Sequence, residues 1–324
     1  MCARFSDRSP RRTRGGGVTD AAAADTTPRV RARVIVAHGR LLRVRTVSGE
    51  EWLARAPGRK IIVVCGDEVA CAHDTRHAEL HVTAIGPRSG ALYRSNARGH
   101  AELIATHLTL LAVVIAPVPA PDFFIVDRYL AAAHCAGIAA AIVLNKADLP
   151  ADASLESALD TYGRLGHAVH RVSAHTRLGL AALQGALSGQ TGMLVGQSGV
   201  GKSSLSRALV PDSDPSVGEL LRDDEGRHTT TAVRLYSLPD GGAIIDSPGV
   251  RDFAPAIDRL EPRALGFPDV AALSAGCRFG DCRHLREPDC AVRGAAGTVL
   301  DARRYESYRR LRRLHERLQP RPGR

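Results

Sequence analysis

The sequence predicts a multi-domain protein of mixed β and α/β class. An N-terminal OB-type β-barrel, a circularly permuted P-loop domain on a mostly parallel sheet and a small C-terminal metal-binding domain with helices are expected. Three observations predict this. Short runs with period-two alternation fill residues 29–95. Apolar strands then alternate with helix-period segments over 96–258, around the stretch Gly196-Gln197-Ser198-Gly199-Val200-Gly201-Lys202-Ser203. Last, three cysteines and a histidine cluster within residues 259–324.

Residues 1–28 hold Arg8, Arg11, Arg12 and Arg14 among Gly, Ala, Asp and Thr, with almost no large apolar side chains. Such a segment cannot bury enough surface to order itself, so it reads as a disordered basic tail. No apolar run follows the arginines, which argues against a secretory signal, the twin-arginine type included. No run of eighteen apolar residues occurs anywhere, so no membrane span is expected and a cytoplasmic protein is.

The barrel expectation rests on Val30, Ala32, Val34 and Val36 in alternation, then on Leu41 to Val47, Glu51 to Ala56, Asp67 to Ala72 and Glu79 to Ile85. Gly39, Ser48-Gly49, Pro57-Gly58 and Gly86-Pro87 mark the turns. Small closed barrels of this size often bind oligonucleotides; a purely structural barrel packed on its neighbour is the other reading.

In the α/β region, Leu108 to Ala116 is an apolar strand, Phe123 to Gly137 has helical spacing, and Ile138 to Leu144 is a second buried strand. Asn145-Lys146-Ala147-Asp148 follows at the carboxyl end of that strand, where open parallel sheets bind ligands. An aspartate here can accept from the N1–H and amino group of guanine, which adenine does not offer. Asp148 thus selects GTP over ATP, the Lys146 stem covers the base and Asn145 braces the loops. The strand Ala168 to Val172 ends in Ser173-Ala174, positioned to give a backbone N–H to the base oxygen.

After a helix near Leu178 to Leu187, the strand Met193 to Val195 leads into Gly196–Ser203 and a helix through Leu209. The glycines permit a tight turn with N–H groups facing phosphate oxygens, and the helix adds its positive end. Lys202 reaches the β- and γ-phosphates, the Ser203 hydroxyl binds Mg²⁺, and Ser204 opens the helix behind them. Downstream, Gly226-Arg227-His228-Thr229-Thr230-Thr231 is a polar loop whose Thr230 is the candidate to complete the Mg²⁺ shell. The strand Ala243 to Ile245 ends in Asp246-Ser247-Pro248-Gly249; Asp246 would hold Mg²⁺ through water and the Gly249 N–H would meet the γ-phosphate. The only lysines are Lys60, Lys146 and Lys202, and two of them fall inside these motifs.

In ordinary GTPases the phosphate loop precedes the N-K-x-D motif. Here N-K-A-D and Ser173-Ala174 come first, and the threonine loop and D-S-P-G follow. This is a circular permutation, and it joins the nucleotide-sensing segment after Gly249 directly to the C-terminal region.

That region carries Cys277, Cys282, His284 and Cys290, a closed Cys₃His set of structural-zinc type with no open position for catalysis. Cys2, Cys65, Cys71 and Cys135 are scattered and do not suggest a disulfide framework. Val299 to Leu318 is helical in spacing, with an apolar stripe at Leu311, Leu314 and Leu318 and arginines at 303, 304, 309, 310, 312, 313 and 317. With a net charge of +10, these arginines point to RNA phosphates rather than to a merely solvated helix face.

Together these motifs resemble the circularly permuted, ribosome-associated GTPases that act in late small-subunit maturation, the RsgA/YjeQ family. The resemblance implies slow hydrolysis of GTP to GDP and phosphate, stimulated by the small ribosomal subunit, with the barrel and zinc domain on ribosomal RNA. A monomer is expected. Two departures stand out. Val250 occupies the position where many GTPases keep a water-orienting glutamine, and residues 253–257 lack the histidine that family members commonly carry. No general base is therefore assigned; His228 is the candidate, with a loop hydrogen-bonding role as its alternative. An ATP-using phosphoryl-transfer enzyme and a non-catalytic GTP-gated RNA-binding module are the rival readings.

Overall fold

The computed structural model describes residues 29–58, 61–74, 78–96, 100–210, 233–246 and 253–318. The N-terminal tail, the 226–231 loop with His228 and Thr230, and Gly249, Val250 and Arg251 lie outside the described residues.

Strands β1 (Val30–His38), β2 (Leu41–Thr46), β3 (Glu51–Arg55), β4 (Glu68–Asp74) and β5 (Glu79–Ile85) pair in the order β1-β2-β3-β5-β4, and β4 returns to β1. The sheet closes on itself, as the five short alternating runs predict. Ala32, Val34, Leu42, Val44, Ala54, Leu80 and Val82 fill its interior. Arginines occupy the alternate positions of β1 and β2, since the pleat sends neighbouring side chains to opposite faces.

A hairpin of β6 (Leu92–Ser95) and β7 (Ala101–Ala105) follows, which the sequence reading did not single out. The second unit contains β8 (Leu110–Ile115), β9 (Ala139–Leu144), β10 (Ala168–Arg171), β11 (Thr191–Val195), β12 (Val233–Ser237) and β13 (Ala243–Asp246). Their order is β10-β9-β8-β11-β13-β12, all parallel except β12, which runs against β13. Every residue of β8 is buried, as a central strand covered on both faces requires. Helices α1 (Phe123–Cys135) and α2 (Ala153–Arg164) pack one face; α3 (Leu180–Leu187) and α4 (Lys202–Leu209) pack the other.

The barrel is not a separate bead. Its β1 pairs antiparallel with β12 through Val36 with Arg234 and Ala37 with Val233, so one eleven-stranded sheet runs through both units.

The C-terminal region contains α5 (Pro268–Ser274), α6 (Ala291–Gly294) and α7 (Ala302–Leu318) around Phe267, Val270, Tyr308 and Leu311. Here the structure corrects the reading of α7. Its buried face is Arg304, Tyr305, Ser307, Tyr308, Leu311, Arg312 and His315, while Leu318 is exposed. Arg304 and Arg312 are only 2% and 5% exposed and cannot meet RNA. Arg304 is bidentate to Asp269 at 2.9 Å and reaches Asp127 of α1 at 2.8 Å. Arg312 donates to the Pro262 and Arg263 carbonyls. These partners offset the loss of water, which unpaired buried charges would not survive. No described helix is long and apolar enough to cross a membrane.

Candidate nucleotide site and metal centre

The site lies at the carboxyl ends of β8, β9, β11 and β13. Because β11 ends at Val195 and α4 begins at Lys202, residues 196–201 form the strand-to-helix turn. Gly196, Gly199 and Gly201 have φ of 140°, 79° and 89°. A Cβ on Gly196 would lie 2.1 Å from the Val114 carbonyl oxygen, and one on Gly201 2.4 Å from Asn145 Nδ2. Glycine is thus required twice, by conformation and by close packing. Lys202 is 7% exposed, with Nζ donating to the carbonyls of Gly196 at 2.8 Å and Gln197 at 2.7 Å. Its ammonium therefore sits within the loop. Ser203 and Ser204 follow in the first turn of α4.

Besides its expected place among the phosphate-loop residues, Gln197 fastens the loop to its neighbour. Its Nε2 donates to the Ala120 carbonyl at 2.8 Å, and its Oε1 accepts from the Asp122 N–H at 2.7 Å. Asp122 caps α1 through the Phe124 N–H at 3.0 Å.

Asn145 is 2% exposed and joins three loops. Its Nδ2 donates to the Val200 carbonyl at 2.8 Å, and its Oδ1 accepts from the Ala174 N–H at 3.1 Å. The sequence reading gives a backbone N–H of Ser173-Ala174 to a base oxygen; in this structure the Ala174 N–H is taken by Asn145, so the pair braces the site. Lys146, at φ 58°, donates through Nζ to the carbonyls of Val118 at 2.7 Å and Gly199 at 2.8 Å. Asp148 is exposed. A hydrogen bond from Ser173, helped by its own backbone, holds its carboxyl below the usual range. It is thus an anionic acceptor at the mouth of the site.

Asp246 ends β13, and the Ser206 hydroxyl of α4 donates to its Oδ2 at 3.4 Å. Nothing in the motif pattern marks Ser206. Its position one helical turn after Lys202 was the available signal.

The metal-ligating set comes together as its spacing suggests. One donor atom from each of Cys277, Cys282, His284 and Cys290 lies within 4.8 Å of the others. Cys277 Sγ is 3.4 Å from His284 Nδ1 and 3.9 Å from Cys290 Sγ, and Cys290 Sγ is 3.5 Å from Nδ1. A tetrahedron with Zn–S of about 2.3 Å has edges of about 3.7 Å, so the donors fit such an ion. His284 Nε2 is buried without a partner among the described residues, which leaves Nδ1 as the nitrogen turned to the thiols. α7 holds the cluster: Tyr305 donates to the His284 carbonyl at 2.9 Å and Tyr308 to that of Arg283 at 3.2 Å.

Comparison with known proteins agrees with this arrangement. Residues 85–255 match the family model described as RsgA GTPase. A protein of Azotobacter vinelandii named small ribosomal subunit biogenesis GTPase RsgA is 41% identical over 77% of this chain and 74% of its own length. One of the same name from Pseudomonas syringae pv. syringae is 39% identical over 81% and 78%. Among solved structures, YjeQ from Thermotoga maritima superposes with a TM-score of 0.69 at 24% identity, over 90% of this chain and all of that one. YloQ, described as a circularly permuted GTPase, gives 0.67 at 24% identity over 91% and 97%. These two likenesses bear on the fold alone. With phosphate loop, N-K-A-D and Cys₃His cluster arranged as above, and with relatives of this identity and coverage, the chain belongs to the RsgA GTPase family.

Proposed function

We propose that this chain is a GTP phosphohydrolase acting in late maturation of the small ribosomal subunit, binding that subunit and its ribosomal RNA. The observation that carries the reading is the convergence on Asn145, which joins the N-K-A-D, Ser173-Ala174 and phosphate loops in one hydrogen-bonded unit. In this reading Gly196–Gly201, Lys202, Ser203 and Ser204 bind the triphosphate, Lys146 and Asp148 the guanine, and Ser203, Asp246 and Thr230 the Mg²⁺. Mg²⁺ held by these residues would neutralise charge on the triphosphate. The Gly249 N–H would meet the γ-phosphate.

The Cys₃His cluster holds one structural Zn²⁺. The working units are a tail at 1–28, a barrel at 29–95, a GTPase domain at 96–258 and a zinc-binding domain at 259–324. The protein acts as a cytoplasmic monomer without a membrane partner. Val250 cannot orient water, so hydrolysis by the isolated protein is slow and the subunit completes the geometry; His228 is the candidate to take part.

The test is GTP hydrolysis by the purified protein, alone and with isolated small subunits, with Lys202→Ala as blank. Strong stimulation by subunits is expected. Equal rates with and without them would overturn the ribosome-activated reading and favour a GTP-gated RNA-binding module.

A further inference from the structure

A cavity of about 810 Å³ opens between the barrel and the nucleotide-binding sheet, away from the nucleotide site. The barrel side presents Arg31, Arg33 and Arg45 with Glu68; the other side presents Thr191 at the start of β11 and Ser237 at the end of β12. The phosphate loop lies at the opposite, carboxyl end of β11, so the two sites sit at opposite ends of one strand.

The charges in this cleft are unequally satisfied. Arg45 is tied to Glu51 Oε1 at 2.7 Å and to the Ser237 hydroxyl at 2.7 Å. Arg33 donates through Nη2 to Thr191 Oγ1 at 3.0 Å, but its Nε is buried with no partner among the described residues. Burial lowers the pKa of this guanidinium, with Glu68 acting in the other direction. A guanidinium partly withdrawn from water at the wall of such a cleft favours an anion laid against the donors it presents there. Arg31 is exposed at the rim, two residues along the same strand and on the same face. Ile35, Val69, Ile85 and Leu235 supply apolar walls. The volume is in the range of pockets that enclose a small organic ligand, which are mostly apolar with a few placed polar groups.

We propose that the barrel–sheet cleft is a second anion site, in which Arg33 and Arg31 bind the phosphate of a phosphate-bearing ligand. The phosphate belongs either to a free nucleotide-sized molecule or to an RNA backbone. Because β1 carries both arginines and also pairs with β12, the occupant touches the seam between the two units.

The test uses the full chain with its phosphate loop saturated by a non-hydrolysable GTP analogue. Pyrophosphate is then titrated calorimetrically, in the presence and absence of a short oligouridylate. Independent binding of the analogue is checked first, so that a failure of the GTP reading is seen separately. The expected result is pyrophosphate binding at one site, weakened about tenfold or more in both Arg33→Gln and Arg31→Gln, with analogue affinity unchanged. The exposed Arg31 guards against a mere folding defect at Arg33. Competition by the oligouridylate would assign the phosphate to RNA; pyrophosphate binding unaffected by it would assign a free ligand. No pyrophosphate binding by the analogue-saturated wild type, or binding unchanged in both variants, overturns the proposal.

Discussion

Asn145 donates to the Val200 carbonyl at 2.8 Å across 55 residues of chain, so one buried amide ties the base-recognition motif to the phosphate loop. Its Oδ1 accepts from the Ala174 N–H, and the Gly201 Cα packs where only a glycine fits beside it. Asn145→Ala leaves a carbonyl and an N–H without partners. Each buried orphan costs about 1–3 kcal/mol. The variant should melt at lower temperature and bind GTP about tenfold or more weakly, since 1.4 kcal/mol is one decade. Calorimetry of melting and of nucleotide binding checks both; unchanged affinity would show that the three loops hold their places without the bridge.

Asp148 stands exposed with its carboxyl kept ionised by the Ser173 hydrogen bond. An anionic acceptor suits two N–H donors of guanine. Asp148→Asn replaces one acceptor oxygen by a donor, which suits the carbonyl of xanthine instead. The expected outcome is weaker GTP and stronger xanthosine triphosphate binding, read by competition. GTP affinity equal to wild type would remove Asp148 from base recognition.

The Arg304–Asp127 contact joins the C-terminal helix to α1, whose other residues reach the chain after D-S-P-G. Tyr129 donates to the Phe253 carbonyl and Arg128 to that of Pro255. Asp127 also accepts from Tyr162 at 2.9 Å. Arg304→Met leaves the buried Asp127 with only the more distant cation of Arg303, at 3.5 Å, and strips the half-buried Asp269 of its bidentate partner, a loss of about 3 kcal/mol. Thermal unfolding should fall by several degrees and separate the C-terminal transition from the rest. A single, unshifted transition would show that this pair does not fasten the two regions.

The donor edges of the Cys₃His cluster fit zinc, and two of its cysteines lie within the apolar core of the C-terminal region, so a bound metal would add its binding energy to the folding of that region. The protein should contain one zinc per chain by elemental analysis, and Cys282→Ser should lose it together with protease resistance of residues 259–318. A metal-free protein with the same resistance would make the cluster a set of ordinary thiols.

Much of this was legible in the sequence for identifiable reasons. The barrel strands announce themselves by alternation, because each has one face on a core and one on solvent. The phosphate loop is legible because three glycines at fixed spacing answer a backbone demand. The Arg304 and Arg312 positions were not legible. A buried arginine is written with the same letter as an exposed one, and only the three-dimensional arrival of Asp127, Asp269 and two carbonyls makes burial tolerable. The β1–β12 seam was hidden likewise, since pairing partners nearly 200 residues apart leave no local period. Gln197 falls at a motif position free to vary and Ser206 lies beyond the motif, so their contacts appear only in space.

Glu287 sets the last expectation. Its carboxylate accepts from the backbone N–H groups of Arg283 at 2.9 Å, Leu285 at 2.9 Å and Arg286 at 3.0 Å, and so shapes the loop that carries His284. Partial burial alone would raise its pKa, but these N–H donors outweigh it and bring the carboxyl from 4.5 down to about 2. A carboxyl depressed on folding stabilises the native state above its unfolded value and loses that contribution as pH falls through the folded one. The stabilisation should therefore be complete above pH 4.5 and disappear towards pH 2. Glu287→Gln has no carboxylate to offer the three donors. Denaturant melts of the two proteins should differ most near neutrality and converge in acid, where protonation of other groups affects both alike. A difference that stays constant from pH 6 to pH 2 would mean that the side chain acts through packing, and that its charge does not hold the metal loop.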